Sequence, residues 1–227
     1  MVVYGKQVAQ YILLKHSDKI RQVFLAKEID KSQFSAFARL NVPIVRLDSK
    51  KAQSLARGGN HQGYLLEIEP IAPLEFNAIK AMEFVLVLCG LSDVGNIGAL
   101  FRSAYVLGVD AMVICGIKEL KQEGVLRSSA GAMLDMPFTI AYNALDVVNE
   151  LRFAHFKLYS TSPQGENSKI QQGKKALFLG DESKGLSAKL LNKMDANLTI
   201  AQKRAFDSLN VSTAGAILID RIINGRD

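Results

Sequence analysis

The run FVLVLCGLSDVGNIGALFRSA, residues 84–104, passes from an unbroken apolar segment through a polar turn into a helical pattern. Phe84 to Cys89 has the length of a strand covered on both faces, and the apolar residues that follow Asn96 recur at helical spacing. A strand feeding a helix through Gly90-Leu91-Ser92-Asp93 begins a parallel α/β unit. In open α/β sheets, ligands bind beyond the carboxyl ends of the strands, so this turn is where chemistry is to be sought.

The alternation continues along the chain. Strand patterns fall at 84–90, 111–115, 156–160, 175–180 and 197–201, and helical patterns at roughly 97–107, 119–130, 144–153, 187–193 and 210–224. Strands separated by helices predict a mostly parallel sheet with helices on both faces. Upstream, residues 6–15, 31–40 and 49–57 read as helices and 21–26, 43–47 and 64–68 as strands of a smaller α/β unit. Gly58-Gly59-Asn60-His61-Gln62-Gly63 is an exposed loop with a polar tip. Glu69 to Leu74 holds two of the five prolines and reads as a linker. The expected division is a small domain over 1–69, a linker over 70–79 and a larger domain over 80–227.

The 227 residues are 48% hydrophobic and 22% charged, ordinary values for a soluble globular protein. The apolar runs have strand length and are too short to span a bilayer, and the first residues lack the order of a secretory signal. Cys89 and Cys115 each lie in an apolar stretch, as buried reduced thiols do, and two Cys with three His offer no zinc spacing. A cytoplasmic protein without a metal is expected. The net charge of +6 is uneven: residues 1–70 hold 11 Lys/Arg against 6 Asp/Glu, whereas the rest is nearly balanced. The basic excess therefore belongs to the N-terminal third, as in a domain that grips a polyanion.

Gly90, Gly95 and Gly98 do not make a G-x-G-x-x-G fingerprint, and no G-x-x-x-x-G-K-[ST] loop is present. The glycine-bearing loops come late instead, after strands 175–180 and 197–201, which argues against a standard dinucleotide-binding enzyme. Three segments in order carry a specific resemblance. Asn96 to Ala104 (N-x-G-x-x-x-R-x-A), Gly180 to Leu186 (G-x-E-x-x-G-L) and Ser208 to Ser212 (S-L-N-V-S) resemble motifs 1, 2 and 3 of the SpoU, or TrmH-like, RNA ribose 2'-O-methyltransferases of the SPOUT class. Tyr4-Gly5 and His61-Gln62-Gly63 resemble markers of the L30e-like RNA-binding domain found in the branch that methylates a guanosine of 23S ribosomal RNA.

The resemblance implies an α/β SPOUT domain whose C-terminal segment threads a deep trefoil knot, preceded by the small L30e-like domain, in a homodimer. It implies S-adenosyl-L-methionine as cofactor, held at Thr161 and by backbone groups at Gly180, Ile200 and Leu209. Arg102 matches the catalytic arginine, with Asn96, Glu182, Asn210 and Ser208 as its companions. Asn96 either caps its helix or orients the arginine or the ribose, Asn210 is equally a helix N-cap, and Glu182 is placed to pair with Arg102 of a partner subunit. His61 and Gln62 are the RNA-contact candidates, although His61 can equally fasten its own loop. The implied substrate is 23S ribosomal RNA, with tRNA as the alternative; a non-catalytic RNA-binding or ribosome-assembly factor of the same fold is the reading outside enzymes.

The family's proposed mechanism makes the arginine the proton acceptor. An arginine with a reference pKa above 12 loses its proton near pH 7 at a cost of roughly 7 kcal/mol. Arg102 is better suited to clamp the substrate phosphate and hydroxyl while deprotonation is coupled to transfer. Two departures from the family pattern stand out. The proline and small residues that usually precede motif 3 are replaced by the bulkier, basic run Ile200 to Asp207, which borders the cofactor loop. The proline turn that usually enters motif 1 is replaced by Ser92-Asp93-Val94-Gly95.

Overall fold

The computed structural model of the chain describes residues 1–166, 169–181, 184–204 and 208–225. In chain order the described elements are β1 (Val2–Tyr4), α1 (Lys6–Lys15), β2 (Ile20–Leu25), α2 (Lys31–Ala38), β3 (Ile44–Arg46), α3 (Ser49–Leu55), β4 (Tyr64–Ile68), α4 (Phe76–Ile79), β5 (Phe84–Cys89) and α5 (Val94–Leu107). There follow β6 (Ala111–Cys115), α6 (Gln122–Ser128), β7 (Phe138–Ala141), α7 (Ala144–Phe153), β8 (Lys157–Glu166), β9 (Lys175–Gly180), α8 (Ala188–Leu191), β10 (Ala196–Leu198) and α9 (Val211–Asn224). The chain forms two compact units: Met1–Ala72 with Lys121–Leu134, and Pro73–Leu120 with Asp135–Asp227.

The first unit holds a four-stranded sheet in the order β1-β4-β2-β3. β4 pairs antiparallel with β1 and β2, and β2 pairs parallel with β3. Val8, Ala9 and Ile12 form the buried stripe of α1, at helical spacing. Residues 121–134 join this unit although they lie between β6 and β7 in sequence. The Gln122 side chain makes a two-point contact with the Ile71 backbone, its Oε1 accepting from the Ile71 N–H at 3.0 Å and its Nε2 donating to the Ile71 carbonyl at 2.8 Å. The Arg127 guanidinium lies 5.0 Å from the centroid of the Tyr4 ring, a cation–π contact.

The second unit is a six-stranded sheet in the order β10-β8-β9-β5-β6-β7, parallel throughout. Every residue of β5 and of β6 is buried. That explains why they read as continuous apolar runs rather than alternating ones. The connection from β5 leads to β6 on one side, and the chain leaves β9 toward β10 on the other. The sheet therefore switches direction between β5 and β9, whose ends are in register at Cys89 and Gly180. A crevice at such a switch is the expected ligand position in an open α/β sheet.

Two strands escape the periodicity. β1 has three residues and β7 four, and both exist through pairing, β1 with β4 and β7 with β6. The apolar run expected to extend over 197–201 ends as a strand at Leu198, and the helix expected over 187–193 is only Ala188–Leu191. Among the described residues no helix is long and apolar enough to cross a membrane, and no group of three His, Cys, Asp or Glu could hold a metal ion.

Candidate functional site

The carboxyl edge of the larger sheet collects most of the residues singled out in the sequence. Beyond Cys89 the chain turns at Gly90, whose N–H donates to the Cys115 carbonyl at 2.8 Å. Asp93 then caps α5, its Oδ1 accepting from the Asn96 backbone N–H at 2.7 Å. Capping thus falls to Asp93 and leaves the Asn96 side chain for another task. The sequence carries a signal for this, since an aspartate immediately before a helical apolar run is an N-terminus signature.

The Asn96 task is visible at the start of α9. Asn210 caps that helix, its Oδ1 accepting from the Ser212 N–H at 2.9 Å, the Thr213 N–H at 3.4 Å and the Ser212 hydroxyl at 2.6 Å. These donors fix which end of the amide is oxygen. The Asn210 Nδ2 then donates to Asn96 Oδ1 at 2.9 Å, joining positions 114 residues apart. Asn210 is therefore both a cap and a cross-link. Close packing of α5 and α9 makes this reach possible. A Cβ at Gly215 of α9 would lie 2.5 Å from a Leu100 methyl on α5 and 2.8 Å from a Leu179 methyl on β9.

Gly180 is required for a different reason. A Cβ there would fall on the carbonyl carbon of Gly185 and lie 2.5 Å from the Leu186 nitrogen. The loop after β9 folds back so that its own backbone covers the strand end, held by the Gly185 N–H donating to the Asp181 carbonyl at 2.7 Å. It is a contact glycine rather than a simple turn glycine. Next to it, β8 is in register with β9 through Ser160 and Phe178, so the half-buried Thr161 follows at the same sheet edge. Asn197 of β10 pairs with Ser160, which brings the half-buried Ile200 to the end of the neighbouring strand. Arg221 of α9 donates to the Thr199 carbonyl at 3.2 Å and ties that segment down. Leu209, exposed, precedes the Asn210 cap, and Ser208 is exposed beside it. Thr161, Gly180, Ile200 and Leu209 carry no charge and offer mostly backbone and apolar surface.

Arg102 stands apart from the asparagine pair. It is exposed on α5 and makes no hydrogen bond or ion pair among the described residues. Six residues along a helix place it about 9 Å from Asn96 along the axis and on a different face. Val106, one turn beyond Arg102, is 72% exposed, and Tyr105 and, on α9, Ile217 are also exposed. Glu182 lies outside the described residues.

His61 and Gln62 belong to the smaller unit. The Gly63 N–H donates to His61 Nδ1 at 3.0 Å, and the Lys6 N–H donates to Gln62 Oε1 at 3.0 Å. Both side chains therefore fasten their own loop with one atom each. Sequence reasoning misses a pair in the core of the larger unit: Cys115 Sγ lies 3.3 Å from Cys89 Sγ, on paired strands. Hydrogen bonding with Cys115 and burial push the Cys89 thiol well above its ordinary range. Strand register alone brings these two together, and no local sequence signal announces it.

Residues 83–220 match the SpoU rRNA Methylase family, and residues 2–74 match the RNA 2'-O ribose methyltransferase substrate binding family. An uncharacterized tRNA/rRNA methyltransferase of Borreliella burgdorferi is 26% identical over 93% of this chain and 96% of its own. The 23S rRNA (guanosine-2'-O-)-methyltransferase RlmB of Yersinia pestis is 23% identical over 99% of this chain and 97% of its own. Among solved structures, the AdoMet-bound rRNA methyltransferase of Sinorhizobium meliloti superposes with a TM-score of 0.77 at 19% identity, covering 99% of this chain and 87% of that one.

Proposed function

Because the chain belongs to the SpoU rRNA methylase family, we propose that it transfers a methyl group from S-adenosyl-L-methionine to a ribose 2'-hydroxyl of RNA, specifically of a guanosine in 23S ribosomal RNA. The observation that carries this reading is the Asn210–Asn96 hydrogen bond, which joins the first and third motifs at the strand edge that ends in Gly180. The full-length similarity to a 23S ribosomal RNA methyltransferase supports the ribosomal substrate, and so does the basic first third of the chain.

When bound, the cofactor supplies an electrophilic methyl carbon on a positively charged sulfur. Thr161, Gly180, Ile200 and Leu209 would hold it. The tasks left to the chain are to orient the ribose and to stabilise charge on its oxygen. A ribose hydroxyl is a poor acid, so the site must favour negative charge as it develops on that atom. Arg102 does this as a cation whose planar fork engages phosphate and hydroxyl oxygens. It does so without giving up its own proton, and the hydroxyl proton passes to solvent as the new bond forms. Asn96 and Asn210 hold the starts of α5 and α9 in one geometry, and Ser208 and the Glu182 of a second copy would be the companions of Arg102.

Two further features belong to this reading. The exposed apolar residues Tyr105 and Val106, on the α5 face that carries Arg102, and Ile217 on α9 are the surface of a homodimer. Across it, Arg102 would meet Glu182 of the second copy. The C-terminal segment, tied back through Arg221 and Thr199, would carry the trefoil knot. An enzyme acting on ribosomal RNA works in the cytoplasm.

Incubation with methyl-labelled S-adenosyl-L-methionine and total RNA, followed by mapping of the modified nucleotide, tests the proposal. The expected product is a 2'-O-methylguanosine in 23S ribosomal RNA. Label in tRNA would replace the substrate, and cofactor binding without transfer to any RNA would leave a binding factor.

A further inference from the structure

Tyr142 follows the carboxyl end of β7 and is 96% exposed, the most open large hydrophobic side chain among the described residues. It makes no hydrogen bond or ring contact with any of them. Its backbone is nonetheless held on both sides. Ala141, just before it, is in register with Cys115 of β6, and Asn143, just after it, caps α7 by accepting from the Leu145 N–H at 2.9 Å. A ring carried on so short a turn has little backbone freedom left to lose when a ligand settles on it.

Strand register places this ring at the edge that carries the site. Gly180, Cys89, Cys115 and Ala141 form one row across β9, β5, β6 and β7. At a strand spacing of about 4.8 Å, Ala141 lies about 14 Å from Gly180 and about 10 Å from Cys89. The residues after Cys89 and Cys115 are glycines at positive φ, and nothing lies within 4 Å of the place a Cβ would take on Gly90. Between Gly180 and Tyr142 the edge is therefore crossed by two glycine turns, which leave the backbone open to a strand lying across it.

Tyr142 is also on the Arg102 side of α5. Leu100 turns toward Gly215 of α9, and Phe101 turns toward β7, edge-on to Phe138 with ring centroids 5.7 Å apart. Arg102 comes one further step of about 100° around the helix, on the flank away from α9. Ile140, on the same face of β7 as Phe138, is 40% exposed, so the strip from that flank toward Tyr142 is uncovered.

A protein partner needs a contiguous apolar patch, whereas here the exposed amide of Asn143 and a glycine turn adjoin a single ring. A nucleic-acid base needs only an accessible π-face. Stacked nucleotides repeat about every 3.4 Å, so a strand whose ribose is held beside Gly180 reaches Tyr142 within a few nucleotides.

We propose that Tyr142 is a stacking platform for an unpaired base of the substrate strand, a few nucleotides from the ribose that is methylated. Stacking is tolerant of base identity, so Tyr142 positions the strand rather than reading its sequence. The proposal rests on the reading of this unit as a methyltransferase acting on RNA.

The test uses the full chain. Tyr142→Ala, checked for unchanged circular dichroism, is expected to raise the KM for ribosomal RNA about tenfold, the scale of one lost base–aromatic stack, with kcat and cofactor affinity unchanged. Tyr142→Phe should keep the wild-type KM, and Tyr142→Leu should behave as Tyr142→Ala. Because the chain has no Trp, Tyr142→Trp carries a single indole reporter. Its emission is expected to be quenched by an oligoadenylate RNA and left unchanged by heparin, a polyanion without bases, at the same ionic strength. An indole that oligoadenylate does not quench overturns the proposal, and so does equal quenching by heparin or an unchanged KM in Tyr142→Ala. A lower sedimentation coefficient for Tyr142→Ala than for the wild type also overturns it, since the ring would then belong to a contact between copies. The quenching needs no methyl transfer, so a chain that quenches but transfers no methyl group loses the enzymatic reading and keeps the stacking platform.

Discussion

Asn210 and Asn96 share one hydrogen bond at 2.9 Å, and the direction of that bond is fixed. The Asn210 oxygen is engaged by the first turn of α9, so its NH₂ must be the donor and the Asn96 oxygen the acceptor.

This polarity predicts an asymmetry between two aspartate substitutions. Asn96→Asp keeps the acceptor, whereas Asn210→Asp keeps the helix cap and loses the donor. Asn210→Asp is therefore expected to stay near wild-type stability and lose methyl transfer at least tenfold, and Asn96→Asp to be the more active of the two. Asn210→Ala removes cap and link together and should cost about 1 kcal/mol in addition. Urea denaturation beside a methyl-transfer assay checks all three.

Gly180 and Gly215 are both close-contact glycines, but their neighbours differ in kind. At Gly180 a methyl group meets the backbone of Gly185 and Leu186, which cannot rotate away; at Gly215 it meets the ends of two leucine side chains. Gly180→Ala is expected to displace the loop and weaken S-adenosyl-L-methionine binding about tenfold or more. Gly215→Ala should instead lower stability by about 1–3 kcal/mol through overpacking and bind the cofactor nearly as before. Calorimetric titration of both variants separates the two effects, and equal affinities would remove Gly180 from the cofactor cradle.

Arg102 makes no contact with the described residues that folding needs, so its replacement should leave the melting temperature unchanged. Arg102→Ala is expected to reduce methyl transfer about a hundredfold or more, the scale of losing one charge-stabilising donor. Arg102→Lys keeps the charge without the planar fork and should fall between. A rate–pH profile of the lysine variant parallel to that of the wild type supports a clamp, while a shift of its basic limb would assign the proton to this side chain.

Val106 and Ile217 offer a test of assembly. Val106→Glu or Ile217→Glu is expected to convert a dimer to a monomer in sedimentation velocity, with unchanged circular dichroism and little remaining methyl transfer. A wild-type chain that sediments as a monomer at micromolar concentration would sink the proposed interface.

The raised pKa of the Cys89 thiol sets a pH dependence. A buried thiol stays protonated in the folded protein, whereas its unfolded counterpart ionises near pH 8.5. Its contribution to stability is complete below that pH and is lost as pH rises toward the folded value, at up to about 1.4 kcal/mol per pH unit. Urea midpoints between pH 8 and 10 should therefore fall less steeply in Cys89→Ala than in the wild type. Native Cys89 should also resist iodoacetamide at pH 8.

Several elements are legible in the order of residues alone. α1 and α9 announce themselves by apolar spacing, and β5, β6 and β9 by unbroken apolar runs bounded by turns. The Asp93 cap is written in the same local grammar, although the motif draws attention to Asn96 for that place. Position in a motif likewise points to Asn96, Gly180 and Asn210, but not to what each touches. β1 and β7 are hidden because strands of three and four residues exist only when a partner strand supplies their hydrogen bonds. The attachment of residues 121–134 to the first unit is hidden for a related reason, since Gln122 reads the backbone of Ile71, and a backbone has no sequence signature.

By itself, the order of residues determined the alternation of strands and helices, the parallel sheet, the basic first third and the three motifs, because periodicity and composition act over a few turns of chain. Tertiary structure decided that Asn210 would be cap and cross-link at once, that Gly180 would lie under its own loop, and that Cys89 would face Cys115. It also left the Tyr142 ring bare at the edge that carries the site. Each of these depends on surfaces that come together only when distant segments pack, and no local pattern records which surface the rest of the chain will leave open.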